Sequence, residues 1–372
     1  MNKKILPLAI SITLSVGISA VVNAETTEQK INRLEAEINA LADAVDNGKV
    51  SGGSSSTSRT KIGGYGELHY NNLDGKDKQL DLHRFVLFFG HEFNDRTRFF
   101  SELEVEHAIA GEGKVGEVEM EQAYIEMDIN KNHSAKAGVF LIPVGIMNET
   151  HEPPVFYGVE RNPLEKNIVP ATWWEAGAGL SGRLGSGGFS YDAAITSGLN
   201  VDAGSVNIRK GRQKAGKAKA ENLALTGRLK YTGMPGLELA GTVHVQDDIT
   251  QKGGDGVEGA VLTEVHAILN KGKFGAIAQY AAWDIDIDTA ALKNKETQEG
   301  FLVEGSYKFT PKVGVFARHT AWNNTDGKDK EQQNVGVNFW PHEDVVLKAD
   351  IQQQNDEAGS ADGFNLGVGY QF

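Results

Sequence analysis

The chain contains no cysteine. It can form no disulfide, carries no thiolate nucleophile and offers no thiolate to a metal. Beyond its first residues it also lacks any run of about 18 apolar residues, and its mean hydropathy is negative. Together these exclude a helical membrane protein but not a β-barrel, in which only alternate residues meet lipid. Basic residues are in deficit: 37 Lys and Arg against 50 Asp and Glu leave a net charge of −13. A length of 372 residues would ordinarily mean about two domains.

What is present is alternation. In Arg98–His107, Phe99, Leu103 and Val105 share one parity, while Arg98, Phe100, Glu102, Glu104 and Glu106 share the other. Successive strand residues point to opposite faces, so this segment has one apolar and one charged face. The last ten residues repeat the pattern, with Phe364, Leu366, Val368, Tyr370 and Phe372 on one side and Asn365, Gly367, Gly369 and Gln371 on the other. Tight connections fall near Asn94–Arg96, Asn130–His133, Gly185–Gly188, Gly233–Gly236, Lys271–Gly272, Thr310–Pro311 and Pro341–Glu343. They carry Gly, Pro and Asn, which tolerate turn geometry. Eight long connections interleave with these seven, predicting about sixteen strands with both barrel ends on the side of the tight turns. Short turns alternating with long loops are the mark of an antiparallel transmembrane β-barrel. Aromatics gather beside the tight turns (Phe93, Phe99, Phe189, Tyr231, Phe274, Phe309, Phe339, Trp340 and Phe372), as in an interfacial girdle. The fold class expected is all-β, a barrel over 61–372 that uses the length as one domain.

Three elements are expected before the barrel. Residues 1–24 read as a secretory signal peptide: Lys3 and Lys4, the apolar Ile5–Ala20, and Val22-Asn23-Ala24 as a cleavage site. Residues 25–47 carry Ile31, Leu34, Ile38, Leu41 and Val45 at coiled-coil spacing, with Thr26 and Gln29 placed for a capping box. At under three heptads, this helix would associate only if the barrels hold it close, or else lie on the barrel mouth. Residues 48–60 form a Gly/Ser-rich linker. A signal peptide followed by a barrel ending in Phe372 points to a Gram-negative outer membrane, with the N-terminal segment in the periplasm.

Several chemical motifs do not survive their context. Gly177, Gly179 and Gly182 spell G-x-G-x-x-G inside a strand, with no helix following. Glu104 and His107, three apart in a strand, face opposite sides and cannot share a metal. Asp284, Asp286 and Asp288 share a face, but Thr289 stands where a calcium loop needs glycine. No local Ser-His-acid pattern occurs, although such triads need not be local. No metal, cofactor or nucleic-acid partner is expected. Sixteen strands leave room for a water-filled channel. A barrel hydrolase, or a tether or adhesin using the coiled coil, remains open beside it.

The longest connection, 143–172, holds five prolines and Val155, Phe156, Tyr157, Ile168 and Val169, too apolar for an external tail. It is expected to fold into the lumen as a constriction. Its charges are Glu149, Glu152, Glu160 and Glu165 against Arg161 and Lys166, with His151 able to shift. Inward strand positions add Arg84, Arg228 and Arg318 against Glu102, Glu104 and others. In the fourth strand Glu117, Glu119 and Glu121 share a parity that Ala123, Ile125, Met127 and Ile129 continue as apolar. A bulge near Gln122 would reconcile the two sets. The fourth long loop carries Arg209, Lys210, Arg212, Lys214, Lys217 and Lys219 against only Asp202. Such a loop would steer anions at the mouth or contact lipopolysaccharide.

The stretch GVFLIPVGIMNETHEPPVFYGVERNPLEKNIVPATWWEAGAGLSG, Gly138–Gly182, resembles the third-loop region of the phosphate-selective porin O/P family. The opening strand GGYGELHY, the N-terminal heptads and the terminal Phe372 resemble it too. The resemblance implies a sixteen-stranded, trimeric outer-membrane porin passing small hydrophilic solutes or ions. Family members selective for phosphate carry an arginine ladder and a lysine-rich constriction. No such ladder can be traced here, and the third loop leans acidic.

Overall fold

In a computed structural model, the structure describes residues 59–253, 256–325, 328–355 and 361–372. The signal peptide, the coiled-coil helix and nearly all of the linker lie outside these residues. Sixteen antiparallel strands form one closed barrel. On the first half of the wall they are β1 (Thr60–Leu73), β2 (Gln79–Glu92), β3 (Thr97–Glu106), β4 (Val118–Asn130), β5 (His133–Leu141), β6 (Trp174–Leu184), β7 (Phe189–Thr196) and β8 (Ala224–Met234). On the second half they are β9 (Leu237–Gln246), β10 (Val257–Lys271), β11 (Phe274–Ile287), β12 (Thr297–Thr310), β13 (Val313–Asn323), β14 (Asp329–His342), β15 (Val345–Asn355) and β16 (Gly363–Gln371). Each strand pairs with its sequence neighbours. β1 closes the ring on β16 through Tyr65↔Gln371 to Leu73↔Gly363. Closure leaves no open edge, which hydrocarbon would penalise. The linker was expected to reach residue 60, but Thr60 already pairs with His91 in the β1–β2 ladder.

The seven expected tight turns are all present, and Gly236 and Gly272 adopt φ of 78° and 63°, the left-handed region that favours glycine in such turns. The alternation maps onto the two faces as expected: Phe364, Leu366 and Val368 are exposed, while Asn365 is fully buried. Phe93, Phe189, Phe274, Phe309, Phe339 and Phe372 are exposed on the outer surface near the turns. Trp340 departs from the girdle. It points inward, and its indole Nε1 donates to Pro154 O at 3.1 Å.

The bulge in β4 is real. Glu102 pairs with Gln122, and Leu103 with Met120, so Glu121 is the extra residue. Val118 and Met120 face out before it, and Ile125, Met127 and Ile129 face out after it. One inserted residue flips the parity, so Glu121, inward in step with Glu119, is followed by Gln122, which also faces the lumen.

The interior is not polar throughout. Toward the long-loop end, Leu262 of β10 and Trp283, Ile285 and Ile287 of β11 are buried. They form one apolar cluster with Ile142, Leu164, Ile168 and Trp173 of the third loop and its flanks, and with Leu199, Val206 and Ile208 of the fourth. The long loops fold inward because they bury this apolar surface. Asp284, Asp286 and Asp288 alternate with that set and are exposed on the opposite face, as a solvated strand end requires.

Val265 of β10 is exposed on the outer wall, between the turn-side aromatics and the long loops. Val265→Arg should destabilise the barrel in lipid vesicles by about 2–4 kcal/mol, read from urea unfolding. An unchanged midpoint would show that this face does not meet hydrocarbon.

Candidate functional site

The third loop crosses the lumen, as its composition predicts. After Ile142 it runs through a short 3-10 turn at Pro153–Val155, an extended stretch, and the helix α1 (Pro163–Asn167). Pro163 starts α1, and Asn162 caps it by accepting from Glu165 N at 2.9 Å.

A backbone that spans a cavity carries donors and acceptors that no ladder satisfies. The wall supplies their partners. Arg84 of β2 donates from Nε to Glu67 Oε1 at 2.6 Å and from Nη2 to His151 O at 2.8 Å. Arg318 of β13 repeats the arrangement, to Glu304 Oε2 at 2.9 Å and Tyr157 O at 2.5 Å. Arg228 of β8 binds Asp192 through Nε at 2.9 Å and Nη2 at 2.7 Å, and pairs with loop residue Glu149 through Nη1. Lys348 of β15 donates to Gly158 O at 2.9 Å, and Asn338 of β14 to Phe156 O at 3.1 Å. Asp350 accepts from Val159 N at 2.8 Å. Each of the three wall arginines thus divides its fork between a wall carboxylate and the loop.

The loop's own acids are equally engaged. Glu160 accepts from Asn71 at 2.9 Å and meets His69 at 3.1 Å. Burial opposes its ionisation, but the His69 contact outweighs burial and holds the carboxyl well below the usual range. Glu165, fully buried in α1, accepts from Ile146 N at 2.7 Å and Gln279 at 2.6 Å. Burial still pushes its carboxyl up to about 7. Glu152 is half-buried at the start of the 3-10 turn. Glu102 and Glu104 are buried and face the lumen from β3.

Cavities lie on both sides of the loop. On the long-loop side, one of 830 Å³ is lined by Lys76, Arg161, Lys166 and Lys330 against Asp77 and Glu160. On the turn side, one of 270 Å³ touches Met147, Tyr157, Asn162, Glu304 and Arg318.

The fourth loop corrects an expectation. Its cations do not face only Asp202. Lys214 pairs with Glu117 and Glu119 at the outer end of β4. Arg209 donates to Lys166 O at 2.9 Å and Ala171 O at 2.5 Å, and Arg212 donates to Pro170 O at 3.1 Å and to Thr172 O. Burial, with Arg212 and Arg161 nearby, draws Arg209 down to about 9; burial and Arg161 draw Arg212 down to about 10. Only Lys210, Lys217 and Lys219 are exposed. Sequence spacing shows charge but not the carbonyls that a folded loop presents.

Lys348 and Asp350 escaped the sequence reading, although they alternate with the outward Leu347 and Ile351 and parity alone marks them as inward. So did the outer group of His69, His83, His107 and Asp81. There His69 stacks on His83 at 4.7 Å, and Asp81 meets His107 at 2.8 Å and His83 at 3.3 Å.

No family model matches the sequence. A protein of Aquifex aeolicus (strain VF5), described as uncharacterized, is 31% identical over 340 residues, covering 79% of this chain and 75% of that protein. Among solved structures, OmpF of Salmonella typhi aligns with a TM-score of 0.60 at 13% identity, over 84% of this chain and 97% of its own. The anion-selective porin from Comamonas acidovorans aligns with a TM-score of 0.58 at 10% identity, over 84% and 99%. The outer membrane channel DcaP of Acinetobacter baumannii gives 0.58 at 14% identity, over 87% and 100%. At such identities the likeness shows the fold alone: this barrel has the fold of these channels.

Arg318→Met would leave Glu304 buried without its cation and the Tyr157 carbonyl without its donor. A loss of about 3–5 kcal/mol is expected, read as faster hydrogen exchange across 154–160 with the barrel strands still protected. Retained protection would remove Arg318 from the loop's anchorage. For Glu165 the sign is opposite to that of an ion-paired acid. Its folded carboxyl titrates near 7 and the unfolded one at about 4.3, so the folded loop holds a proton that the unfolded chain has lost. Its contribution is fully present below about pH 4.3 and is lost as pH rises towards 7. Loop-three exchange, corrected for intrinsic rate, should therefore quicken over that window in the wild type and stay flat in Glu165→Gln.

Proposed function

The chain belongs to one family with the Aquifex aeolicus protein, and from that premise and its barrel fold we propose that it is an outer-membrane porin of a Gram-negative cell, a passive channel for small hydrophilic solutes or ions. The observation that carries this reading is the third loop, drawn across the lumen of a sixteen-stranded wall and anchored there, with water-accessible cavities on both sides. A loop held inside the lumen narrows the path without filling the barrel. An enzyme would need reactive groups converging at the mouth, and this reading assigns none.

The solutes favoured are small anions. The outer cavity sets Lys76, Arg161, Lys166 and Lys330 against Asp77 and Glu160, and Glu160 is already engaged by His69 and Asn71. Such a chamber raises the local anion concentration at the entrance to the constriction. Phosphate is one candidate among small anions. Arg84, Arg228 and Arg318 are spent on wall carboxylates and the loop, which argues against a ladder of free arginines like that of the phosphate-selective members. The exposed Lys210, Lys217 and Lys219 suit anionic lipopolysaccharide outside the barrel. A homotrimer would bury the concave outer face where small residues such as Ala135, Ala178, Gly179 and Gly227 line an apolar hollow.

Single-channel recording in planar bilayers tests this directly. Stepwise conductance with an anion-selective reversal potential in a KCl gradient is expected, with steps grouped in threes for a trimer. Arg161→Gln with Lys166→Gln should shift that potential towards cations. Phosphate that blocks the current would narrow the solute class. A purified barrel with no conductance would overturn the channel.

A further inference from the structure

Loop three meets β3 and β4 at one place where the buried polar groups do not satisfy one another. His151 is 3% exposed, and neither ring nitrogen has a hydrogen-bond partner among the described residues. Its Nε2 stands 3.7 Å from Glu102 Oε1 and 3.7 Å from Glu121 Oε2. Both separations exceed hydrogen-bond length. Glu121 Oε2 has no partner of its own, nor has Oε1 of Glu104. The nearby Arg84 is committed to Glu67, to the His151 carbonyl and to Tyr65.

The three facing atoms lie within 4.8 Å of one another. Bonds of about 2.0–2.1 Å at tetrahedral angles hold neighbouring ligand atoms roughly 3.3–3.4 Å apart. The two 3.7 Å separations from His151 are therefore too long for direct hydrogen bonds and within a few tenths of an ångström of those around a shared ion, which would draw the two carboxylates in from a spacing of at most 4.8 Å. We propose that Glu102, Glu121 and His151 form a site for one divalent transition-metal cation, which fastens the third loop to the barrel wall.

The donor set fits that chemistry. Two carboxylates and an imidazole suit Zn²⁺ or Mn²⁺, whose two positive charges would offset those of the two buried acids. An outer layer holds the ligands: Gln122 donates to Glu102 Oε2 at 2.8 Å, Tyr65 OH to Glu102 Oε1 at 3.4 Å, and Arg84 fixes the His151 backbone. The site also gives the bulge a purpose. The bulge lets Glu121 and its neighbour Gln122 both face the lumen, so a ligand and the side chain that holds Glu102 stand side by side. The sequence alone led to no metal site, because its three ligands come from two strands and a distant loop. The proposal stands whether or not the channel conducts.

The test uses the full chain, refolded after chelator treatment and titrated calorimetrically with Zn²⁺. One Zn²⁺ per chain is expected. Glu121→Gln and His151→Gln should each weaken binding by more than about 100-fold. Asp81→Asn, in the separate group with His83 and His107, should leave it unchanged. Circular dichroism establishes that each variant keeps its β-structure. Zn²⁺ should also slow hydrogen exchange at 149–153 in the wild type and not in Glu121→Gln, which preserves shape while removing charge. Absence of stoichiometric Zn²⁺ binding would overturn the site, as would binding that survives both ligand substitutions or is removed only by Asp81→Asn.

Discussion

The structure depends on how a backbone segment is carried across the inside of a barrel. Peptide groups removed from a sheet ladder and from bulk water must find partners. Here the wall provides them, chiefly through cations that do two things at once. Arg84 and Arg318 each neutralise a wall glutamate and grip a loop carbonyl, and Arg228 neutralises Asp192 and holds loop residue Glu149. The same charges that hold the loop keep the acidic wall from repelling itself. Removing Arg84 or Arg318 would strand a buried carboxylate and a carbonyl together, and removing Arg228 two carboxylates, so wall charge and loop position form one system.

That system divides the interior. Toward β10–β12 the third and fourth loops pack on Leu262, Trp283 and Leu302 as the core of a soluble protein would, and Trp283 Nε1 donates to Ile168 O at 2.8 Å. Along β1–β4 and β14–β16, polar side chains such as Glu67, Arg84, Asn334 and Asp350 line the lumen beside the third loop. Apolar packing thus fills the long-loop end of the lumen beside β10 and β11, leaving the outer cavity against β1 and β13–β15 and the turn-side cavity against β10–β13. It also draws Arg209 and Arg212 off the rim and onto the carbonyls of residues 166–172.

The bulge at Glu121 shows how a one-residue irregularity governs chemistry. The wall on either side obeys strict alternation, with Met120 out before the bulge and Ile125 out after it. Glu121 adds a third buried carboxylate beside Glu102 and Glu104, under His151 of the loop, and the bulge puts Gln122 on the same face. Local pairing sets which face a side chain takes, but the company it keeps there depends on the loop's path.

Period-two alternation, the tight turns and the even strand number were legible in the sequence because each is a local consequence of a wall with lipid on one side. The inward fold of residues 143–172 and the bulge in β4 were legible for the same reason: apolar loop content and a break in parity are local signals. Other features depended on tertiary structure. The pairing of Arg318 with Tyr157 O, of Lys348 with Gly158 O, and of Lys214 with Glu117 and Glu119 joins residues far apart in the chain. Spacing carries no information about such contacts. Trp340 reads as one more interfacial aromatic, yet it alternates with the outward Phe339 and so faces the lumen, where Pro154 O accepts from its indole. The sequence by itself determined a barrel and the face each residue takes; only closure of the wall around its third loop decided which charges are free and which are bound.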